Sequence, residues 1–309
     1  MDACAGVTGT RPDSPHRAVH YFSFSLPSRF CARSVSHSSW SLPRSPSSVR
    51  PSFEAMAKPY NQVVLFGDSL FQQASQVQDG FSFQGALQNQ CIRHLDVINR
   101  GFSGYNTKNA LELLPQVFLP PSPSNPKIEY LLVLLGANDA CLSIPTNTQG
   151  VPIDQYKENL TKIITHDYIK AHKPKILLVT PPPVDEIRIT VLDLAVGHKQ
   201  ATRQAAVSAA YSETARKVAA EIPNVVLIDL HKAIMDKAIS LTADFDSSGP
   251  PLGHPEGKRG ALEQLLPDGL HMSGEAYKVF FDIVKPHIGP FPEREGVFPD
   301  WRVLNPGTL

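Results

Sequence analysis

The sequence predicts an α/β fold in three layers, with a five-stranded parallel sheet covered by helices on both faces. Two observations carry that expectation. From residue 60 onward, short aliphatic runs alternate with longer stretches of helical period. Each run is nearly continuous in apolar residues, as a strand buried on both faces should be. A chain of 309 residues with 42% hydrophobic content is also large enough to build the core that such a sheet needs.

The strands are expected at 63–66 (VVLF), 97–98, 130–135 (YLLVLL), 175–179 (KILLV) and 225–228 (VVLI). Helical spacing between them predicts 81–93, 107–114, 153–171, 195–221, 232–240 and 273–287. The last carries clear boundary signals, because Ser273 followed by Glu275 suits an N-terminus and Pro286 marks a stop. Two connections, 119–127 and 242–262, are longer than α/β loops usually are and are expected to wall a pocket.

The two ends read differently from the middle. Residues 1–58 are crowded with Ser and Pro, hold six Arg before the first lysine, Lys58, and contain only Asp2, Asp13 and Glu54 as acids. Such a segment cannot bury enough apolar surface to order itself. It reads as a disordered or targeting extension: its Arg-rich, acid-poor character suits a mitochondrial transit peptide, and without one the expected location is the cytoplasm. Ala18 to Leu26 is interrupted by His and Ser and makes no secretory core, and Met56 is a second candidate start. A folded domain is expected over 59–288, followed by a tail without period at 289–309.

Composition excludes several function classes. With 29 Lys+Arg against 29 Asp+Glu the formal net charge is zero, so no nucleic-acid partner is implied. No run of 18 apolar residues exists, so no membrane span is expected. The cysteines, Cys4, Cys31, Cys91 and Cys141, lack C-x-x-C spacing and read as free thiols in a reducing compartment. His166, Asp167 and His172 follow no helical ligand spacing and no H-E-x-x-H occurs, so no metal is expected. Neither G-x-G-x-x-G nor G-x-x-x-x-G-K-[ST] is present, so no nucleotide cofactor is expected either.

The chemistry gathers at one sheet edge. The first strand runs into Gly67-Asp68-Ser69-Leu70, the second ends in Asn99-Arg100-Gly101-Phe102-Ser103-Gly104, and the third in Gly136-Ala137-Asn138-Asp139. Open α/β sheets bind ligands at this carboxyl edge, and glycine lets a backbone amide approach a ligand oxygen. Just before the last helix, Asp268 stands three residues ahead of His271. From that spacing the carboxylate can turn back to the imidazole Nδ1 and leave Nε2 outward as a base. The loop before the last helix returns to the same edge, so His271 can meet Ser69.

These blocks, in this order, resemble the SGNH or GDSL hydrolases, and the chain is most similar to the isoamyl-acetate-hydrolysing esterases through VVLFGDS, NRGFSGYNT, LLGANDA, TPPP and DGLHMSGEAY. The resemblance spans about residues 60–288 and implies a flavodoxin-like SGNH hydrolase fold, with no cofactor. It also implies a division of roles: Ser69 as nucleophile, His271 as general base and then acid, and Asp268 fixing the imidazole. The oxyanion would be held by the amides of Ser69 and Gly104 and by the Asn138 side chain, with Gly101 the rival for Gly104. Asp68 and Asp139 are expected to support loops and stay outside the triad.

Candidate substrate contacts are Phe71, Phe102, Tyr105, Pro182 and Met272, an apolar set that favours a neutral small-molecule ester. Each could equally be core. The expected activity is hydrolysis of short-chain esters such as acetates. The alternatives are a lipase or thioesterase for longer chains, a carbohydrate deacetylase, or a dead binding scaffold, and a homodimer is left open.

Overall fold

The computed structural model describes residues 59–122, 125–292, 296–305 and 307. The 1–58 extension, with Cys4 and Cys31, lies outside the described residues, while Cys91 and Cys141 are buried free thiols. In chain order, β1 (Asn61–Gly67) and α1 (Ser69–Gln72) lead to α2 (Phe83–Gln90), β2 (Leu95–Gly101) and α3 (Thr107–Val117). Then come β3 (Ile128–Leu134), α4 (Ile153–Ile164), α5 (Asp167–His172), β4 (Lys175–Val179) and α6 (Glu186–Ala195). The chain continues through α7 (Ala205–Glu221), β5 (Val225–Ile228), α8 (Leu230–Leu241), α9 (Leu262–Leu265), α10 (Gly274–Val284) and α11 (Trp301–Leu304). Among the described residues no helix is long and apolar enough to cross a membrane.

The five strands form one all-parallel sheet in the order β2-β1-β3-β4-β5. Alternation along each strand explains the unbroken apolar runs. Val63 and Leu65 of β1 point into one core, shared with α1, α2, α8 and α10, while Val64 and Phe66 point into the other, shared with α3, α4 and α7. Leu132 and Leu134 against Leu131 and Val133 repeat the pattern in β3. The chain leaves β1 toward one side and returns to β3 on the other, so the ligand-binding switch point lies between the carboxyl ends of β1 and β3.

The structure corrects several sequence-based expectations. The stretch 153–171 is two helices, α4 and α5, because Thr165 and His166 break the run and the His166 Nδ1 accepts from the Tyr168 amide to start a new helix. Helix α7 begins ten residues later than expected, after Gly197 at φ +97°, and α6 stands before it, started by Asp185 accepting from the Arg188 amide at 3.1 Å. The 119–127 connection does wall a cavity, of about 150 Å³, through Leu119, Asn125 and Pro126, but it feeds the start of β3, where the Gln62 amide donates to the Lys127 carbonyl, so that cavity lies at the amino edge and not at the carboxyl edge. The described part of the tail lies at that amino edge too. There Phe291 stacks on His94, and Arg93 donates to the Phe298 carbonyl at 3.0 Å.

Two of the candidate substrate contacts are core residues. The Phe71 ring is fully buried, 5.9 Å from Phe280 and 6.3 Å from Phe83, and Met272 is buried in the same cluster. Their apolar side chains were needed to dock α1 and α10, and neither forms a pocket wall. Phe83 and Phe280 themselves stack at 4.4 Å, so α10 is fastened to α2 by aromatic packing. Phe280→Ala is expected to cost about 3–5 kcal/mol in urea unfolding, the range for a large aromatic removed from a core. A cost below about 1 kcal/mol would show that this packing does not hold α10 in place.

Candidate active site

Ser69 sits on the first residue of α1, a single turn entered directly from β1. Asp68 caps that turn, its Oδ1 accepting from the Leu70 amide at 2.9 Å. The turn is then tied down from three sides. Asn99 Nδ2 donates to the Phe71 carbonyl at 2.6 Å, the Tyr277 hydroxyl donates to the Leu70 carbonyl at 2.7 Å, and the Phe102 amide donates to Gly67 at 2.9 Å. Gly101 lies against the same turn so closely that a Cβ there would fall 2.1 Å from the Gln72 nitrogen.

The loop before α10 brings His271 to Ser69 across 202 residues of sequence. Asp268 Oδ1 accepts from the Leu270 and His271 amides at 2.9 and 2.7 Å, and its Oδ2 lies 2.7 Å from His271 Nδ1. Because the carboxylate can only accept, Nδ1 carries the proton, and Nε2 faces the Ser69 Oγ at 2.9 Å as the acceptor. Partial burial pushes the Asp268 carboxyl up, but the hydrogen bonds from the His271 side chain and from the His271 and Leu270 amides outweigh it and hold the group at about 2. The line can therefore carry a proton away from the serine with a fixed negative charge behind the imidazole.

Further donors stand at the same sheet edge. Among the described residues, no acceptor is engaged by the amides of Ser69 and Gly104. Gly104 is held at φ +80°, and its carbonyl accepts from Gln149 Nε2 at 3.0 Å. The Gly101 amide, by contrast, donates to Asn99 Oδ1 at 2.8 Å and is already engaged, which favours Gly104 over its rival. Asn138 is buried, with Nδ2 donating to the Tyr105 carbonyl at 2.9 Å and Oδ1 accepting from Arg203 Nη2 at 2.9 Å. Sequence reasoning missed both Gln149 and Arg203. Each lies outside the four motif blocks and has no local pattern that points to the site.

Two buried carboxylates stand behind this edge. Asp139 accepts from the Thr107 amide and hydroxyl, and so ties the loop after β3 to the start of α3. Burial raises it to about 6 against those hydrogen bonds. For Asp68, burial is again the largest influence, opposed by the Leu70 amide and by the charges of His271 and Arg203, and it brings the group to about 7. Its Oδ2 is buried with no hydrogen-bond partner among the described residues.

Of the other candidate contacts, Phe102 and Tyr105 stack on one another at 5.1 Å beside Gly104, and both are part-exposed. Pro182 is buried, and its carbonyl accepts from the Ser208 hydroxyl at 3.1 Å. His172 has both ring nitrogens engaged, accepting from the Ile128 amide and bonding the Leu119 carbonyl. Among the described residues no cluster of His, Cys, Asp or Glu could hold a metal ion.

A parallel sheet in this order, with a serine, a histidine and an asparagine at the carboxyl edge, defines a serine-hydrolase class of site. The sequence model of the GDSL-like lipase/acylhydrolase family matches residues 65–279, and the chain belongs to that family, within the carboxylic ester hydrolases. It is 29% identical to the isoamyl acetate-hydrolyzing esterase of Saccharomyces cerevisiae over 81% of this chain and 98% of that one. The isoamyl acetate-hydrolyzing esterase 1 homolog of Homo sapiens is 28% identical over 78% of this chain and 87% of the relative. Among solved structures, an acetyl xylan esterase superposes with a TM-score of 0.53 at 19% identity, covering 74% of this chain and all of that one. An acetyl xylan esterase from Geobacillus stearothermophilus gives 0.50 at 15% identity, over 77% of this chain and 98% of that one. At such identities these two likenesses show the fold.

The ionisation of Asp68 gives a test of this electrostatic arrangement. A carboxyl raised in the fold contributes stability that is complete below its ordinary value near 4 and is lost as pH climbs through about 7. Asp68→Asn stays neutral, so between pH 5 and pH 8 its urea-unfolding stability should rise relative to the parent by about 2 kcal/mol. The Asp139 charge helps to raise Asp68, so the difference also carries the coupling between the two carboxyls. Parallel pH curves for variant and parent would show that Asp68 is not held neutral by burial.

Proposed function

We propose that the chain hydrolyses short-chain carboxylic esters, acetate esters such as isoamyl acetate among them, through an acyl-enzyme on Ser69. The observation that carries this reading is the unbroken line from Asp268 through His271 to Ser69 at 2.7 and 2.9 Å, with Gly104 and Asn138 at the same carboxyl edge of the sheet.

The reaction follows from the geometry. Ser69 Oγ attacks the ester carbonyl carbon while its proton passes to His271 Nε2, and the carbonyl oxygen becomes an oxyanion. Three neutral donors, the two amides and Asn138 Nδ2, would receive that charge; removing one such donor costs about 10²–10³ in turnover. Collapse breaks the bond to the alcohol oxygen, which takes the proton from His271 and leaves as the alcohol. Water then repeats the sequence on the acyl-serine, with His271 again as base, and releases the carboxylic acid.

The short chain is supported by the named activities of the two relatives matched over most of their length. A second reading, removal of acetyl groups from sugars, is favoured by the groove of about 430 Å³ beside Gly104, whose lining includes Tyr105, Asn109, Glu112 and Gln116.

Hydrolysis of p-nitrophenyl esters from acetate to palmitate, with isoamyl acetate and acetylated xylose alongside, tests these readings. Activity that depends on Ser69 and peaks at acetate or butyrate is expected, and a peak at long chains would overturn the short-chain reading. Ser69→Ala and His271→Ala should each lower kcat by about 10⁴–10⁶, and the double variant little further, because the groups act as one unit. Multiplied losses in the double variant would break the triad assignment.

A further inference from the structure

We propose that Arg203 is a positioning residue for the oxyanion site, holding the Asn138 amide in the one orientation that offers an N–H to the substrate. The inference rests on the oxyanion role proposed for Asn138. An asparagine amide has an accepting end and a donating end of nearly the same shape, and a flip would turn Oδ1 toward a developing negative charge. Something must therefore hold Oδ1 away.

Arg203 is fitted for that work because a guanidinium only donates. Its Nη2 donates to Asn138 Oδ1 at 2.9 Å, and its Nε donates to the Ala137 carbonyl at 3.0 Å. One rigid fork thus fixes both the side chain and the peptide that precedes it. The Tyr105 carbonyl takes one of the two Nδ2 hydrogens at 2.9 Å. Of the two donor positions on the amide, a single N–H of Nδ2 is left for a ligand, and Oδ1 is turned to the arginine.

The charge acts in the same direction as the geometry. A cation on Oδ1 draws electrons through the amide and makes Nδ2 a stronger donor, and hydrogen bonds to charged groups are roughly twice as strong as neutral ones. Among the described residues the Arg203 guanidinium makes no ion pair, so its charge is not spent on a carboxylate in contact with it. The arginine is itself anchored from a distance. Residue 203 pairs with Cys141 in an antiparallel bridge, the Leu142 amide donates to Thr202 at 2.8 Å, and the Thr202 amide donates to Asp193 Oδ2 at 2.6 Å. The segment between α6 and α7 thereby reaches across to the loop after β3.

The test is a double-mutant cycle in the full chain, with kcat and KM measured on p-nitrophenyl acetate and folding followed by thermal unfolding. Arg203→Met is expected to lower kcat by about 10–100-fold with KM nearly unchanged, the signature of a group felt only in the transition state. Arg203→Lys keeps the charge without the fork and should fall between parent and Met. In an Asn138→Ala background, where no amide remains to orient, Arg203→Met should cost less than about twofold. An equal cost in both backgrounds, or a change confined to KM, would overturn the proposal while leaving the oxyanion role of Asn138 standing. If Asn138→Ala itself leaves kcat unchanged, that role fails and the proposal falls with it. Should Arg203→Met not fold, the same cycle run with Arg203→Lys decides by the same criterion.

Discussion

The site depends on one docking contact, the seating of α10 against the turn that follows β1. Ser69 and His271 come from opposite ends of the domain, and nothing local holds them 2.9 Å apart. What does is the Phe83–Phe280 stack, the Tyr277 hydroxyl on the Leu70 carbonyl, and the Gly274 amide donating to Asp79 Oδ2 at 3.1 Å. Gly274 approaches so closely that a Cβ would lie 1.9 Å from the Gln78 carbonyl oxygen. The hydrogen bond between these two side chains is thus secured by apolar packing along α10.

The edge that carries the chemistry is also where the fold gives up stability. Asp68 and Asp139 are buried beside the serine and the asparagine, and both are raised by that burial. Each closes a turn: Asp68 caps the helix that bears Ser69, and Asp139 binds the Thr107 amide so that the loops after β2 and β3 meet. Functional sites commonly hold such unfavourable burial, which the surrounding core compensates.

Much of this was legible in the sequence because it is written locally. Strands buried on both faces read as aliphatic runs, and Gly67-Asp68-Ser69, Asn138 and Asp268-Gly269-Leu270-His271 fall at strand ends and before a capped helix. Features that depend on distant partners were not legible. Phe71 and Met272 stand close to Ser69 and His271 in sequence, and apolar residues there read the same whether they face a pocket or a core; the structure puts both in the core. Arg203 is 65 residues from the amide it holds, and Gln149 is 45 from Gly104, so neither spacing carries a signal. The break between α4 and α5 turned on a histidine used as a cap, a role that periodicity does not reveal.

The central claim is that one serine, made reactive by one histidine, does the chemistry. The most direct measurement is labelling of the full chain with a fluorophosphonate ester, followed by peptide mass spectrometry to locate the adduct. One adduct per chain is expected, on Ser69, and its loss in both Ser69→Ala and His271→Ala. An adduct on another residue, or labelling that persists in His271→Ala at the parent's rate, would contradict it.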